Sequence, residues 1–272
     1  MPFTQVNDLK MYYEIHGEGT PLLLVMGLGA SVLGWSVPQI ERLASRHRVI
    51  VFDNRGVGQT DKPQGLYTMP QLAADAVGLL DVLGIDRAHV FGVSMGGMIV
   101  QHIALDYPQR VRSLVLGCTG AGGDHVVRTP PDSLKILTAE STGDRAQDIR
   151  RGWKIMYTPE FIANNRDLLE EKLQRELQYP EQPRYAFEAQ MGAIVTSHDT
   201  FDRLPELKMP VLIQVGERDI LIPPENADIL AGQIKHAKVI RYSNAGHGYF
   251  LETGFQAADD ILAFLDEVEK NG

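Results

Sequence analysis

Cysteine is nearly absent from this sequence: Cys118 is the only one in 272 residues. A single thiol excludes an internal disulfide and any zinc site built from several thiolates of one chain, and it is compatible with a reducing compartment. Basic residues are outnumbered as well, 26 Lys and Arg against 35 Asp and Glu, for a formal charge of -9. That balance argues against a nucleic-acid partner, whose phosphates need clustered Lys and Arg, and no basic run occurs. Long apolar runs are missing too. The longest early one, PLLLVMGLGA at 21–30, is about half the length of a membrane-spanning helix, so no membrane span is expected. The opening MPFTQVNDLK has no charged segment followed by an apolar one and a cleavage site, which makes the cytoplasm the expected location. What is present, 44% hydrophobic and 22% charged residues, is the composition of a globular protein able to bury a sizeable core.

Along the first part of the chain, short apolar runs alternate with helix-like periods, the pattern of βαβ units around a buried parallel sheet. Strands are expected at 11–17, 21–27, 47–53, 88–93 and 113–117, with helices from Met69 to a stop at Gly84 and over 98–108. In the first of these helices, Leu72, Ala76, Leu79, Leu80 and Leu83 recur at spacings of three and four. NRGVGQTDKPQG at 54–65 is turn-rich and reads as structural. After Cys118 no buried strand is evident for about eighty residues, and the segments there look helical with charged faces. The first pattern resumes at Lys208, with strands at 209–217 and 237–243 and helices at 225–234 and 257–270. The chain therefore divides into a sheet core over 1–122, a helical cap over 123–205 and the remainder of the core over 206–272.

FGVSMGGM at 91–98 sets Ser94 between Gly92 and Gly96, where an expected strand gives way to an expected helix. A turn that sharp would drive side chains two before and two after the serine into neighbouring backbone, and glycine avoids the collision. A serine hydroxyl attacks only if a base removes its proton. Of eight histidines, His247 lies in a glycine-flanked loop between a strand and the last helix, where it could reach the sheet edge; the others fall on or beside ordinary elements or in the cap. The imidazole then needs an acceptor on its other nitrogen. Asp219, in GERDILIPP after a buried strand, is the natural candidate, with Glu217 and Asp228 as alternatives.

The order Ser94, Asp219, His247, each after a strand, together with MGLGAS (26–31), DNRGVGQTDKP (53–63), GVSMGG (92–97), GERD (216–219) and AGH (245–247), resembles the α/β-hydrolase family, in its esterase and enol-lactonase branch. The resemblance implies a mostly parallel eight-stranded sheet with helices on both faces and a lid inserted after the sixth strand. It implies catalytic roles for the three residues, and an oxyanion hole from the backbone N–H groups of Leu28 and Met95. Where many relatives have His-Gly, this chain has Met26-Gly27, which leaves open how that loop is braced. The MGLGAS glycines are not a dinucleotide fingerprint, because Val32 stands where a third glycine would be needed. The implied activity is a serine carboxylesterase for small to medium acyl esters, needing no metal and no cofactor. A lactone hydrolase is the alternative, and a non-hydrolytic ligand-binding member of the fold a further one. Trp35, Trp153 and Tyr157 are candidate pocket residues, with Met156, Phe161, Tyr185, Phe187 and Met191 as weaker ones, and Arg128, Arg150 and Arg151 as cations for a carboxylated substrate.

Overall fold

The computed structural model describes residues 2–271. Eight strands form one sheet: β1 (Phe3–Val6), β2 (Leu9–His16), β3 (Thr20–Val25), β4 (His47–Phe52), β5 (Ala88–Val93), β6 (Val111–Gly117), β7 (Val211–Gly216) and β8 (Lys238–Tyr242). Their order across the sheet is β1-β2-β4-β3-β5-β6-β7-β8. From β4 to β8 all neighbours run parallel, while β1–β2 and β2–β4 are antiparallel. This is the expected eight-stranded, mostly parallel sheet.

The apolar runs supply both faces of it. In β3, Leu22 and Leu24 join one cluster with Val49, Phe91 and Val115, while Leu23 and Val25 join another with Ile50, Val90 and Leu114. Because successive strand residues point to opposite faces, a continuous apolar run must be covered on both sides. One side is covered by α1 (Val37–Ala44) and the long helix at the end of the chain, Gln256–Asn271, through Leu43, Ile261 and Leu265. The other is covered by α2 (Met69–Val82) and α3 (Met95–Asp106), through Leu72, Leu79 and Ile99.

Between β6 and β7 the chain forms α4 (Pro131–Leu137), α5 (Arg145–Met156), α6 (Pro159–Asn164), α7 (Arg166–Leu177) and α8 (Arg184–Ser197), with no strand. Capping fixes where two of them begin: Asp144 accepts from the amides of Ala146 and Gln147 at the start of α5, and Thr158 from that of Phe161 at the start of α6. Two features differ from the sequence reading. β1 pairs with β2 as a hairpin whose turn places Asn7 at φ 51, and α1 follows Ser36 with Pro38 in its first turn. Both elements are short, and neither carries a long apolar period.

Several histidines are buried as neutral rings. Burial lowers His198 to a pKa of about 4, against the Gly120 carbonyl that its Nε2 meets at 2.9 Å, and it lowers His102 as well. Burial likewise takes His89 to about 4. At these rings the unfolded chain therefore binds protons that the folded chain refuses between about pH 6.5 and 4, so their contribution to stability is lost as pH drops through that window. For His198 alone the lost stability is about 3 kcal/mol. Thermal melts from pH 7 to 4 should show a falling midpoint, and His198→Gln should flatten the slope.

Candidate active site

The carboxyl ends of the parallel strands carry the chemistry-bearing residues. Ser94 follows β5, Cys118 follows β6, Asp219 follows β7 and His247 follows β8. Ser94 adopts φ 56 and ψ -124, a left-handed conformation that side-chain-bearing residues avoid and that typically costs about 1–3 kcal/mol. Its surroundings enforce it. A Cβ on Gly92 would stand 2.2 Å from the Gly96 carbonyl oxygen, and one on Gly96 would stand 2.0 Å from that of Val25. The Ser94 amide donates to Gly117 O at 2.9 Å, and its own carbonyl accepts from Thr119 Oγ1 at 2.8 Å.

His247 and Asp219 are brought together. His247 Nδ1 lies 2.7 Å from Asp219 Oδ2, and Asp219 Oδ1 accepts from the amides of Leu221 and Ile222, each at 2.8 Å. Burial works against an imidazolium here, but the Asp219 carboxylate, with the Cys118 sulfur beside it, outweighs burial and holds His247 well above the ordinary histidine range. The ring is thus a strong proton acceptor. Of the alternative carboxylates, Glu217 is exposed and Asp228 pairs with Arg241. Ser94 Oγ makes no hydrogen bond to the imidazole, yet both residues line one cavity. Catalytic hydrogen bonds in ligand-free sites are often long and tighten once substrate is bound.

Met95 opens α3, so its amide has no intrahelical partner, and neither it nor the Leu28 amide has an acceptor among the described residues. Gly27 lies against the serine: a Cβ there would stand 3.5 Å from Ser94 Oγ. The bracing of this loop, left open by the sequence, comes from three side chains. Asn54 Nδ2 donates to Met26 O at 2.9 Å, Asp53 Oδ1 accepts from Val32 N at 2.7 Å, and Gln190 Oε1 accepts from Gly29 N at 3.0 Å. Burial raises Asp53 to a pKa of about 6 despite the amides of Gln59 and Val32 that it accepts. The sequence reading missed Gln190, which sits on α8 with no local pattern to mark it.

Cys118, Asp219 and His247 offer donor atoms within 4.8 Å of one another, the spacing a metal ion would need. The Asp219 carboxylate is engaged by two amides and the imidazole.

The cavity has a volume of about 940 Å³ and its wall is mainly apolar, including Met98, Val126, Leu134, Met191 and Ile194. Trp35 lines it while packing against Phe91 and Phe250, at ring-centre distances of 5.2 and 5.5 Å. Tyr157, Met156 and Arg128 line it as well. Trp153 does not, which corrects the sequence expectation. Its ring is buried with Tyr157, Leu169 and Leu173 in the insertion's own small core, beneath Arg166. Phe161, Tyr185 and Phe187 are likewise absent from the wall. Arg150 pairs with Glu170 and Arg151 with Asp148.

The tightest constraint here is steric and testable. Gly96→Ala should lower the thermal midpoint by more than about 5 °C or abolish soluble expression, since backbone must move and each kcal/mol shifts a chain of this size by about 2–4 °C. Gly232→Ala, where an added Cβ meets nothing within 4 Å, should leave the midpoint within about 2 °C of the parent.

Comparison with known proteins agrees with this geometry. A relative from Azorhizobium caulinodans, provisionally named carbamate hydrolase RutD, is 32% identical over 99% of this chain and 100% of its own. The structure of an enol-lactonase from Burkholderia xenovorans superposes with a TM-score of 0.83 at 26% identity, covering 97% of this chain and 100% of that one. A thermophilic esterase from Thermogutta terrifontis gives 0.82 at 26% identity, covering 98% and 97%. The model of the α/β hydrolase fold matches residues 20–253. With the sharp turn at Ser94, the sheet and this match in agreement, the chain belongs to the α/β hydrolase fold family.

Proposed function

We propose that this hydrolase is a serine carboxylesterase that forms an acyl-enzyme on Ser94. The observation that carries the reading is the strained serine at φ 56 on the wall of a cavity that His247, bonded to Asp219 behind it, also lines. In this reading Ser94 Oγ attacks the ester carbonyl as His247 Nε2 takes its proton. Asp219 holds the Nδ1–H tautomer and stabilises the imidazolium. Charge developing on the carbonyl oxygen is received by the N–H groups of Leu28 and Met95, each typically worth about 2.7–4 kcal/mol in such a role. His247 returns the proton to the leaving alcohol, and water, activated by the same imidazole, releases the acid.

Residues 123–205 act in this reading as the cap over the acyl pocket, between the core segments 1–122 and 206–272. Cavity size bears on the substrate. A volume of about 940 Å³ corresponds to roughly thirty water molecules at liquid density. A simple carbamate would fill a small fraction of it, whereas a branched, aromatic or medium-chain acyl group would bury its apolar surface there at about 25 cal/mol per Å². The size preference therefore moves upward from small acyl groups. Lactone hydrolysis is the second reading, favoured by the likeness to the enol-lactonase; it uses the same attack and differs only in that the leaving alcohol stays tethered.

Three measurements check these readings. Ser94→Ala should reduce esterase turnover by at least a thousandfold, since losing such a nucleophile costs on the order of a millionfold. Across p-nitrophenyl esters from acetate to decanoate, kcat/KM should peak beyond butyrate; a peak at acetate, or lactones preferred by more than about tenfold, would redirect the assignment. Because the neutral imidazole is the working form and His247 is raised above the usual 6.5, kcat/KM should fall as pH drops, with a midpoint above 6.5. A flat profile between about pH 5 and 8 would remove His247 as the base.

A further inference from the structure

The helical insertion reaches the loop carrying the Leu28 amide through one buried side chain. Gln190, on α8, is 0% exposed, and both ends of its carboxamide are engaged. Oε1 accepts from Gly29 N at 3.0 Å and from Gln182 Nε2 at 3.1 Å, while Nε2 donates to Arg55 O at 2.9 Å. These partners fix which way the amide faces, because a backbone N–H only donates and a backbone carbonyl only accepts. Gln190 is not on the cavity wall, whereas Leu28 is. It has no route to a substrate, and its one link to the chemistry is the peptide that follows Leu28.

Among the described residues no other hydrogen bond reaches that peptide. Gly29 sits at φ 69, and glycine populates both signs of φ. On the upstream side Asn54 holds Met26 O; on the downstream side Gln190 holds Gly29 N. The Leu28 amide lies between these two grips. Ala30 N still donates to Gly27 O at 3.3 Å and Asp53 still holds Val32 N, so loss of the second grip lets the Leu28–Gly29 peptide tilt about Gly29 without releasing the whole loop.

We infer that Gln190 is a positioning residue for the oxyanion hole: it fixes the Leu28 N–H, and because it is carried by α8, it makes transition-state stabilisation depend on the insertion being docked on the core. This rests on the ester-hydrolase reading above. It goes beyond that reading by making a residue of the insertion a determinant of turnover rather than of substrate fit. A donor that is present but misaligned loses part of the hundred- to thousandfold effect of removing one outright, and it does so in the transition state alone.

The test compares Gln190→Met, which keeps the shape and removes both polar ends, with Gln190→Glu. A buried glutamate has a raised pKa. When protonated it offers a carbonyl to Gly29 and an O–H to Arg55, reproducing both bonds; when ionised it keeps the first and opposes the Arg55 carbonyl. Gln190→Met should lose about 10- to 100-fold in kcat with KM changed by less than about threefold. An arylboronic acid, which mimics the tetrahedral state, should lose affinity in parallel with kcat, while the product acid should not. Gln190→Glu, assayed against wild type at each pH, should exceed Gln190→Met throughout because both its protonation states accept from Gly29 N, and should gain further as pH falls and the Arg55 carbonyl regains a donor.

The inference is overturned if folded Gln190→Met keeps kcat within about threefold of wild type, if the loss falls in KM, or if Gln190→Glu never exceeds Gln190→Met. Should Gln190→Met fail to fold, the pH-dependent recovery of Gln190→Glu and its boronate affinity decide alone. Labelling of wild-type Ser94 by a fluorophosphonate separates the two levels. An unlabelled, inactive wild type removes the ester-hydrolase reading and this inference with it, whereas a labelled, active wild type with an unimpaired Gln190→Met removes only the inference.

Discussion

The approach of the α3 backbone to the Val25 carbonyl is the constraint from which the site is built. With no side chain at Gly96, the first turn of α3 lies directly against the end of β3. Three consequences share that one contact. Ser94 is forced into its left-handed conformation, the Met95 amide is left at a helix start without an acceptor, and the chain leaving β3 passes Gly27 alongside the serine hydroxyl. A parallel sheet with helices on both faces delivers all its strand ends to one edge, so β6, β7 and β8 add Cys118, Asp219 and His247 there.

The helical segment after β6 is more than a cover laid over that edge. It touches the loop bearing His247 as closely as it touches the loop bearing Leu28. Gly248 N donates to Met156 O at 2.6 Å, and Glu252 accepts from Thr158 N at 2.7 Å with one carboxylate oxygen and from Gly246 N at 2.6 Å with the other. Tyr157 packs so near Gly248 that an added Cβ would stand 2.4 Å from its ring. Two loops that differ in role are thus tied to one helical body by part-buried hydrogen bonds.

How much of this was legible in the sequence depended on how local the cause was. Gly92, Ser94 and Gly96 announce their turn because the steric reason lies within five residues. Asp219 and His247 could be picked out because each follows an apolar strand and sits among turn residues. β1 was not legible: Phe3–Val6 is four residues long and partly polar, and it becomes a strand only by pairing with β2. Trp153 read as a pocket residue because the sequence shows an aromatic in the insertion but not which neighbours claim its ring. Gln190 left no trace at all, since its partners Arg55 and Gly29 lie 135 and 161 residues away. The bracing of the Leu28 loop was hidden for the same reason: Asn54 and Asp53 act at a distance of 28 and 21 residues.

The engagement of Glu252 with Thr158 has a bearing on attempts to recombine this fold. Glu252 belongs to the core, while Thr158, Met156 and Gln190 belong to the stretch between β6 and β7. A chimera that imports that stretch from a homologue without these residues would discard the side-chain anchors of Thr158 and Gln190 and strand their counterparts at 252, 29 and 55. Exchangeable specificity in this scaffold therefore comes as a set, with the graft and its sockets on the recipient having to be transplanted together.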